Sequence, residues 1–220
     1  VLAGGRGKRL EQVSSNINKC MLTFRGRPLV SYSLDNAVRV GVSEIVLIVG
    51  YKAEDIINHF GNSYEGIRIR YVIQWEQKGL VHAIECAWKA VGKSDFMTFL
   101  GDEILVEPRH EEMIRLFYEE DLFVTCGVIR VEDLSQISKT YAVIQDQDCR
   151  IFRLIEKPKK PLNDIMGTGN CIFRNGIFEY IESTPINQKR GEKELVDLIQ
   201  CAIDEGHPVK SFDIGLGYIN

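Results

Sequence analysis

The chain has little that would suit a membrane span, a metal cluster or a nucleic-acid coat. In 220 residues no apolar run approaches the ~20 that a membrane helix needs. The best, Ile45 to Val49, is strand-sized. The six cysteines are Cys20, Cys86, Cys126, Cys149, Cys171 and Cys201. No two lie within four positions, so there is no zinc-type pair. Most sit in apolar runs, which reads as buried, reduced thiols and predicts a cytoplasmic protein. Positive charge is not in excess: 27 Lys and Arg face 31 Asp and Glu, for a net charge of −4. Neither a nucleic-acid nor a membrane partner is therefore expected, although a local basic pocket for phosphates stays open. Histidine is scarce, and His59, His110 and His207 have no Cys or His ligand partners nearby. Repeats, low-complexity tracts and flexible linkers are missing. A 45% apolar and 26% charged composition is that of an ordinary globular protein. No signal peptide is visible. The chain opens with Val1-Leu2-Ala3 inside what reads as its first strand, so a few preceding residues are expected, and residues 1–220 are read as one domain.

Strand-like and helix-like segments alternate. Val1 to Ala3 runs into Gly4-Gly5-Arg6-Gly7. Pro28 to Val40 reads as a helix, with Pro28 in its first turn and Gly41 stopping it. Strands are expected at Glu44 to Val49, Ile67 to Ile73, Phe96 to Leu100 and Leu122 to Val131. Helices are expected at Ala53 to Phe60, Gly79 to Val91 and Arg109 to Glu120. Within Gly79 to Val91, Leu80, Ala83, Ile84, Ala87, Trp88 and Val91 fall at helical spacing. Further on, strands are read at Tyr141 to Gln145, Arg150 to Ile155, Cys171 to Arg174 and Val209 to Asp213, with a helix from about Glu194 to Glu205. Lys157 to Asn163, with two prolines and three lysines, reads as a loop. The alternation predicts an α/β fold: a three-layer, Rossmann-like, mostly parallel sheet with helices on both faces and ligands beyond the carboxyl ends of its strands.

Chemistry is concentrated first in Leu2-Ala3-Gly4-Gly5-Arg6-Gly7-Lys8-Arg9-Leu10. Glycines after a strand let the backbone bend tightly and turn N–H groups on an anion. Arg6, Lys8 and Arg9 add charge in the same turn. A P-loop fails on spacing, because Gly7-Lys8 is followed by Arg9 and the position five before Gly7 is Leu2. A dinucleotide fingerprint fails as well, because Gly5-x-Gly7 would need glycine where Leu10 stands. Read alone, the segment also fits a glycine-rich turn with solvated cations. Ten residues after Arg9 comes Lys19, placed to fold back over the same phosphates.

With Lys19 and Pro28 added, the opening resembles the sugar-1-phosphate nucleotidylyltransferases, or nucleotide-sugar pyrophosphorylases. Their pattern Leu-Ala-Gly-Gly-x-Gly-x-Arg-Leu, a lysine and a proline-started helix is matched at Leu2, Ala3, Gly4, Gly5, Gly7, Arg9, Leu10, Lys19 and Pro28. Gln74-Trp75-Glu76-Gln77-Lys78-Gly79-Leu80-Val81-His82-Ala83 is similar to the base-reading segment, most of all to that of glucose-type members. Leu100-Gly101-Asp102, Glu156-Lys157-Pro158, Gly191-Glu192, Glu194-Leu195 and Asp213-Ile214-Gly215 follow in family order. The resemblance implies a nucleotidyltransferase fold of the GT-A-like type.

It also implies roles, residue by residue. Backbone groups of Leu2, Ala3, Gly4 and Gly5 and the Gln74 amide would hold the nucleobase. Gly79 would permit close approach to it, and Gly7 belongs to the same nucleotide-binding turn. An amide offers one acceptor and two donors, enough for a pyrimidine edge. Without the resemblance, Gln74 is equally a surface glutamine before a turn, and Gly79 a helix start. Arg9 and Lys19 would neutralise the triphosphate. Asp102 and Asp213 would bind Mg²⁺, a hard ion suited to few carboxylates plus substrate phosphates. Read alone, both fit aspartates at strand ends. Lys157 would grip the phosphate of the sugar phosphate and Glu156 would accept from sugar hydroxyls; by themselves they read as a surface ion pair. His82 is read as structural or lining. The catalytic set implied is Arg9, Lys19, Asp102 and Lys157.

The implied reaction is attack of a sugar 1-phosphate oxygen on the α-phosphorus of a nucleoside triphosphate, UTP or dTTP in preference, with release of pyrophosphate. The nucleophile is already an anion, so positioning and charge neutralisation carry catalysis. Some positions depart from the family pattern. Glu103 follows Asp102 and would join the metal or crowd it. Ala142 in Tyr141-Ala142-Val143 stands where glycine lies against the sugar, and Gly169-Asn170-Cys171 stands where Gly-x-Tyr is frequent. Phe212 and Leu216 replace Trp and Thr. The sugar is thus less defined than the nucleotide site. A CTP- or GTP-using enzyme and a non-catalytic nucleotide-sugar-binding module are the rival readings, and assembly as a homo-oligomer is left open.

Overall fold

The computed structural model describes residues 1–5 and 17–219. Arg6, Gly7, Lys8, Arg9 and Leu10 of the glycine turn lie outside the described residues. Five α-helices are described: α1 (Leu29–Arg39), α2 (Ala53–Phe60), α3 (Gly79–Val91), α4 (His110–Glu119) and α5 (Leu195–Asp204). Pro28 is the cap of α1 rather than its first residue. Gly41, in left-handed backbone (φ 71°), turns the chain just beyond that helix.

Strand Leu2–Ala3 pairs in parallel with Ile45–Val49, which pairs in parallel with Ile67–Ile73. On its other side Leu2 meets Leu100 in parallel, with Leu2 N donating to Phe99 O at 2.8 Å and Gly101 N to Leu2 O at 2.9 Å. Phe96–Thr98 therefore joins the same series. Ile165–Phe173 runs against it, Val124–Arg130 runs against that strand, and Val209–Asp213 lies parallel to Val124–Arg130. The sheet is mixed: Ile165–Phe173 is reversed within the parallel series, and Tyr141–Gln145 with Ile151–Glu156 adds an antiparallel pair beside it.

Helices cover both faces. Alternate strand residues decide which core they enter. Ala3, Leu47, Val49 and Phe99 pack with Val30 and Leu34 of α1 and Ile56 of α2. Leu2, Ile48, Cys126 and Val128 pack with Val81 and Ile84 of α3 and Val196 and Ile199 of α5. A third cluster joins Met113 and Phe117 of α4 to Ile129, Met166 and Ile172. The stripe expected on α3 holds at Ala83, Ile84 and Ala87, but Trp88 lies outside it and is 55% exposed.

The reversed strand has Val124–Arg130 along one side. Its other side is divided: Met166 and Gly167 pair with Tyr141–Gln145, whereas Cys171 to Phe173 pair with Phe96–Thr98. The register shifts between Gly167 and Cys171. That split faces the carboxyl ends of the parallel strands. The sequence reading began this strand only at Cys171; the half from Ile165 to Asn170 carries Gly-Thr-Gly-Asn, which has little strand signal. Glycine is needed there for space. A Cβ on Gly167 would fall within the Tyr141 ring, and one on Gly169 would overlap the Leu100 side chain.

Candidate active site

Three groups of residues gather at that edge. The first surrounds Gly4. Its carbonyl accepts from Gln77 Nε2 at 2.9 Å, and a Cβ on it would stand 2.7 Å from Gln74 Oε1. Gly5 is exposed, with open space where its side chain would be. Gln74 is buried, 5% exposed, and its Nε2 donates to Gly79 O at 3.1 Å. Gly79 has φ 87°, and a Cβ there would meet Glu192 Oε2 at 2.5 Å. Its lack of a side chain thus serves the turn into α3 and the approach of Glu192. Leu2 and Ala3 contribute backbone, their side chains being buried in opposite cores.

The second group is Lys19 and Asp102. Asn18, which sequence reasoning did not single out, secures the loop before Lys19. It is fully buried, donates to Ala3 O at 3.1 Å and Tyr51 O at 2.7 Å, and accepts from Cys20 N at 2.8 Å. An asparagine before a one-turn helix is a capping signal that could have marked it. So fixed, Lys19 Nζ reaches Asp102 Oδ2 at 2.7 Å. Cys20 packs under Gly101, and burial pushes its thiol well above the usual range, so it acts as packing rather than as a nucleophile.

The third group lines a cleft of about 240 Å³ between Gly79, Leu100, Tyr141, Gly169 and the Glu156–Lys157 turn. Lys157 has φ 41° and donates from Nζ to Glu156 Oε1 at 2.6 Å. Arg190 donates to the same carboxylate at 3.2 Å and pairs with Glu192 at 2.6 Å and Glu194 at 3.0 Å. Burial, with Glu156 adding its charge, raises the Glu194 carboxyl above its ordinary value. Sequence reasoning passed over Arg190, although it directly precedes the Gly191-Glu192 pair.

Glu103 lies at the inner wall of this cleft. Its carboxyl accepts from Gly169 N at 3.2 Å, Asn170 Nδ2 at 3.1 Å and Tyr218 OH at 2.7 Å. Asn170 Oδ1 in turn lies 3.0 Å from His110 Nε2. Burial pushes the Glu103 carboxyl up to about 8, with Asp102 raising it further and Tyr218 opposing. It braces the Gly169–Asn170 segment.

Two expectations are corrected by the structure. Ala142 is not among the residues that line the cleft. It sits on the opposite face of the sheet, in the cluster of Ile129, Met166 and Ile172, because side chains alternate along its strand and Tyr141 takes the cleft side. Its methyl packs away from the cleft. Asp213 does not meet Asp102 in any described contact. The strand it ends is three places along the sheet from the one leading to Asp102, and its half-exposed carboxylate lies 3.8 Å from Arg130 Nε. Among the described residues no three His, Cys, Asp or Glu side chains gather as a metal site. Asp102 fits the kind of ion that takes one carboxylate and completes its shell with phosphates and water. No described helix is long and apolar enough to cross a membrane.

Comparison with known proteins accords with this geometry. A family model described as nucleotidyl transferase matches residues 1–215. A low-salt glycan biosynthesis nucleotidyltransferase of Haloferax volcanii, Agl11, is 32% identical over 96% of this chain. The chain spans 58% of that relative's length. A UTP–glucose-1-phosphate uridylyltransferase of the same organism, AglF, is 32% identical over 97% of this chain and 86% of its own. Among solved structures, a UDP-glucose pyrophosphorylase complexed with UDP-glucose superposes with a TM-score of 0.88 at 21% identity, covering 99% of this chain and 90% of that one. That likeness supports the Rossmann-like fold.

Proposed function

Because the chain belongs to the nucleotidyl transferase family, we propose that it transfers a nucleotidyl group from UTP or dTTP to a hexose 1-phosphate. A sugar-phosphate oxygen bonds to the α-phosphorus, the bond from that phosphorus to the β-bridging oxygen breaks, and pyrophosphate leaves with the electron pair. The observation that carries the reading is the shared wall at Gly79. Its carbonyl holds Gln74 on the side of the glycine turn, and it also borders the cleft of Lys157 and Arg190. A base on the first side and a sugar on the second would bring the phosphates of both substrates toward the region of Lys19 and Asp102.

Each residue has a physical task. Gln74 and the Gly4–Gly5 backbone orient the base. Lys19 takes negative charge on the triphosphate, with Arg9 as the second cation of the turn. Lys157 and Arg190 hold the phosphate of the sugar phosphate, and Glu156 accepts from sugar hydroxyls. The nucleophile is an anion, so no proton need be removed before attack; the work is to hold two repelling groups in line. Mg²⁺ would be held by Asp102 and would supply neutralisation of phosphate charge. We place the reaction in the cytosol, a reading supported by six free cysteines.

With UTP and glucose 1-phosphate together, pyrophosphate release is expected, and with either alone none. Silence across a panel of triphosphates and sugar phosphates would remove the enzyme reading. Lys157→Ala is expected to raise the KM for sugar phosphate roughly tenfold or more, the scale of one charge-assisted bond. A KM that moved for the triphosphate alone would show that the lysine was misassigned.

A further inference from the structure

Gln74 has two donor hydrogens and one acceptor oxygen to offer a base. Both hydrogens are taken within the protein. Gly79 O can only accept, so its 3.1 Å contact fixes the nitrogen end of the amide. The same nitrogen lies 3.1 Å from His82 Nδ1. With one hydrogen given to Gly79, the other goes to His82, and Nδ1 must be the bare nitrogen of the ring. The ring proton is then on Nε2, where Cys86 Sγ, one helical turn away on α3, is 3.7 Å distant and accepts it. Only Oε1 remains, on the side of Gly4. Gln74 is buried, so water has little access to stabilise a reversed amide.

We propose that His82 is a positioning residue for base choice: by taking the second amide hydrogen of Gln74 it leaves only a carbonyl oxygen facing the base. A base with a ring N–H at that edge can then bind, as uracil and thymine do through N3–H. Cytosine, with a bare N3, sets one acceptor against another and is refused. Guanine carries a ring N–H at N1 and adenine does not, so the same rule divides the purines. The inference deepens the proposed function and rests on Gln74 being the base contact.

The test compares kcat/KM for UTP and CTP, with one sugar phosphate, in the wild type and in His82→Ala, His82→Phe and His82→Gln. Phenylalanine keeps the ring's bulk and removes the acceptor; glutamine returns an acceptor carbonyl. The UTP-to-CTP ratio is expected to fall roughly tenfold in the alanine and phenylalanine variants, the worth of one hydrogen bond. The change should fall on KM more than on kcat, and glutamine should restore most of the ratio. Packing alone would leave the ratio intact and would be rescued by phenylalanine. That result, an unchanged ratio, or a wild type that uses CTP as well as UTP overturns the proposal. Gln74→Ala separates the two readings: a KM for UTP that did not respond to it would remove the base contact itself.

Discussion

Asp102→Asn is expected to lower turnover by on the order of a hundredfold or more, with the triphosphate still bound. The substitution keeps the shape of the side chain and a hydrogen-bonding oxygen for Lys19, which now sits 2.7 Å from a carboxylate. It removes the negative charge, and with it both the ion pair and the carboxylate proposed to hold a hard divalent ion. In the proposed function the base is held by Gly4, Gln74 and Gly79, none of which contacts Asp102 in the described hydrogen bonds. Calorimetric titration of UTP should therefore give a dissociation constant within a few-fold of wild type, while the magnesium dependence of turnover collapses. Full turnover in the variant would take Asp102 out of the reaction.

The second large effect is on stability. In the unfolded chain the Glu103 carboxyl titrates near the ordinary value of about 4.3, whereas in the folded protein it titrates at about 8. Between these values the native state keeps a proton that the unfolded state has lost. Stability therefore declines as pH rises through this window, and the full cost of a buried charge is reached above it. Across the window the contribution is on the order of a few kcal/mol. Glu103→Gln carries no charge at any pH. Gly169 N and Asn170 Nδ2 still find its oxygen, and the Tyr218 hydroxyl can turn to accept from the new amide. Urea unfolding at pH 5, 6, 7 and 8 should show a falling series for wild type and a flatter one for the variant, the two diverging most at pH 8. Parallel series would mean that Glu103 ionises normally.

Much of this architecture could be read from the residues. Ala53–Phe60, Ile67–Ile73, Gly79–Val91, Tyr141–Gln145 and Val209–Asp213 stand where periodicity and turn residues put them. Each is a local pattern bounded by glycine or a polar pair. The short hairpin strands Thr23–Phe24 with Arg27–Pro28 were not legible, since two residues carry no period. The reversed strand was half legible because its glycines answer to Tyr141 and Leu100, which are remote in sequence. Motif order brought out Gly4, Lys19, Gln74, Asp102, Glu156 and Lys157. Ala142 misled because a motif position does not say which face of the sheet a side chain takes. Asn18, Arg190 and the Glu103 brace escaped notice because their meaning lies in partners that only folding brings near.

The cations of this pocket have a common feature. Lys19 holds Asp102, Lys157 holds Glu156, and Arg190 holds Glu156, Glu192 and Glu194. In the proposed function an arriving phosphate would exchange partners with a resident carboxylate instead of capturing a bare charge. A singly charged ion such as chloride would gain less from that exchange than the doubly charged ester. The resting pocket is in this sense self-quenched. Discrimination between dianions and background salt would then come from the carboxylates that must be displaced as much as from the cations that remain.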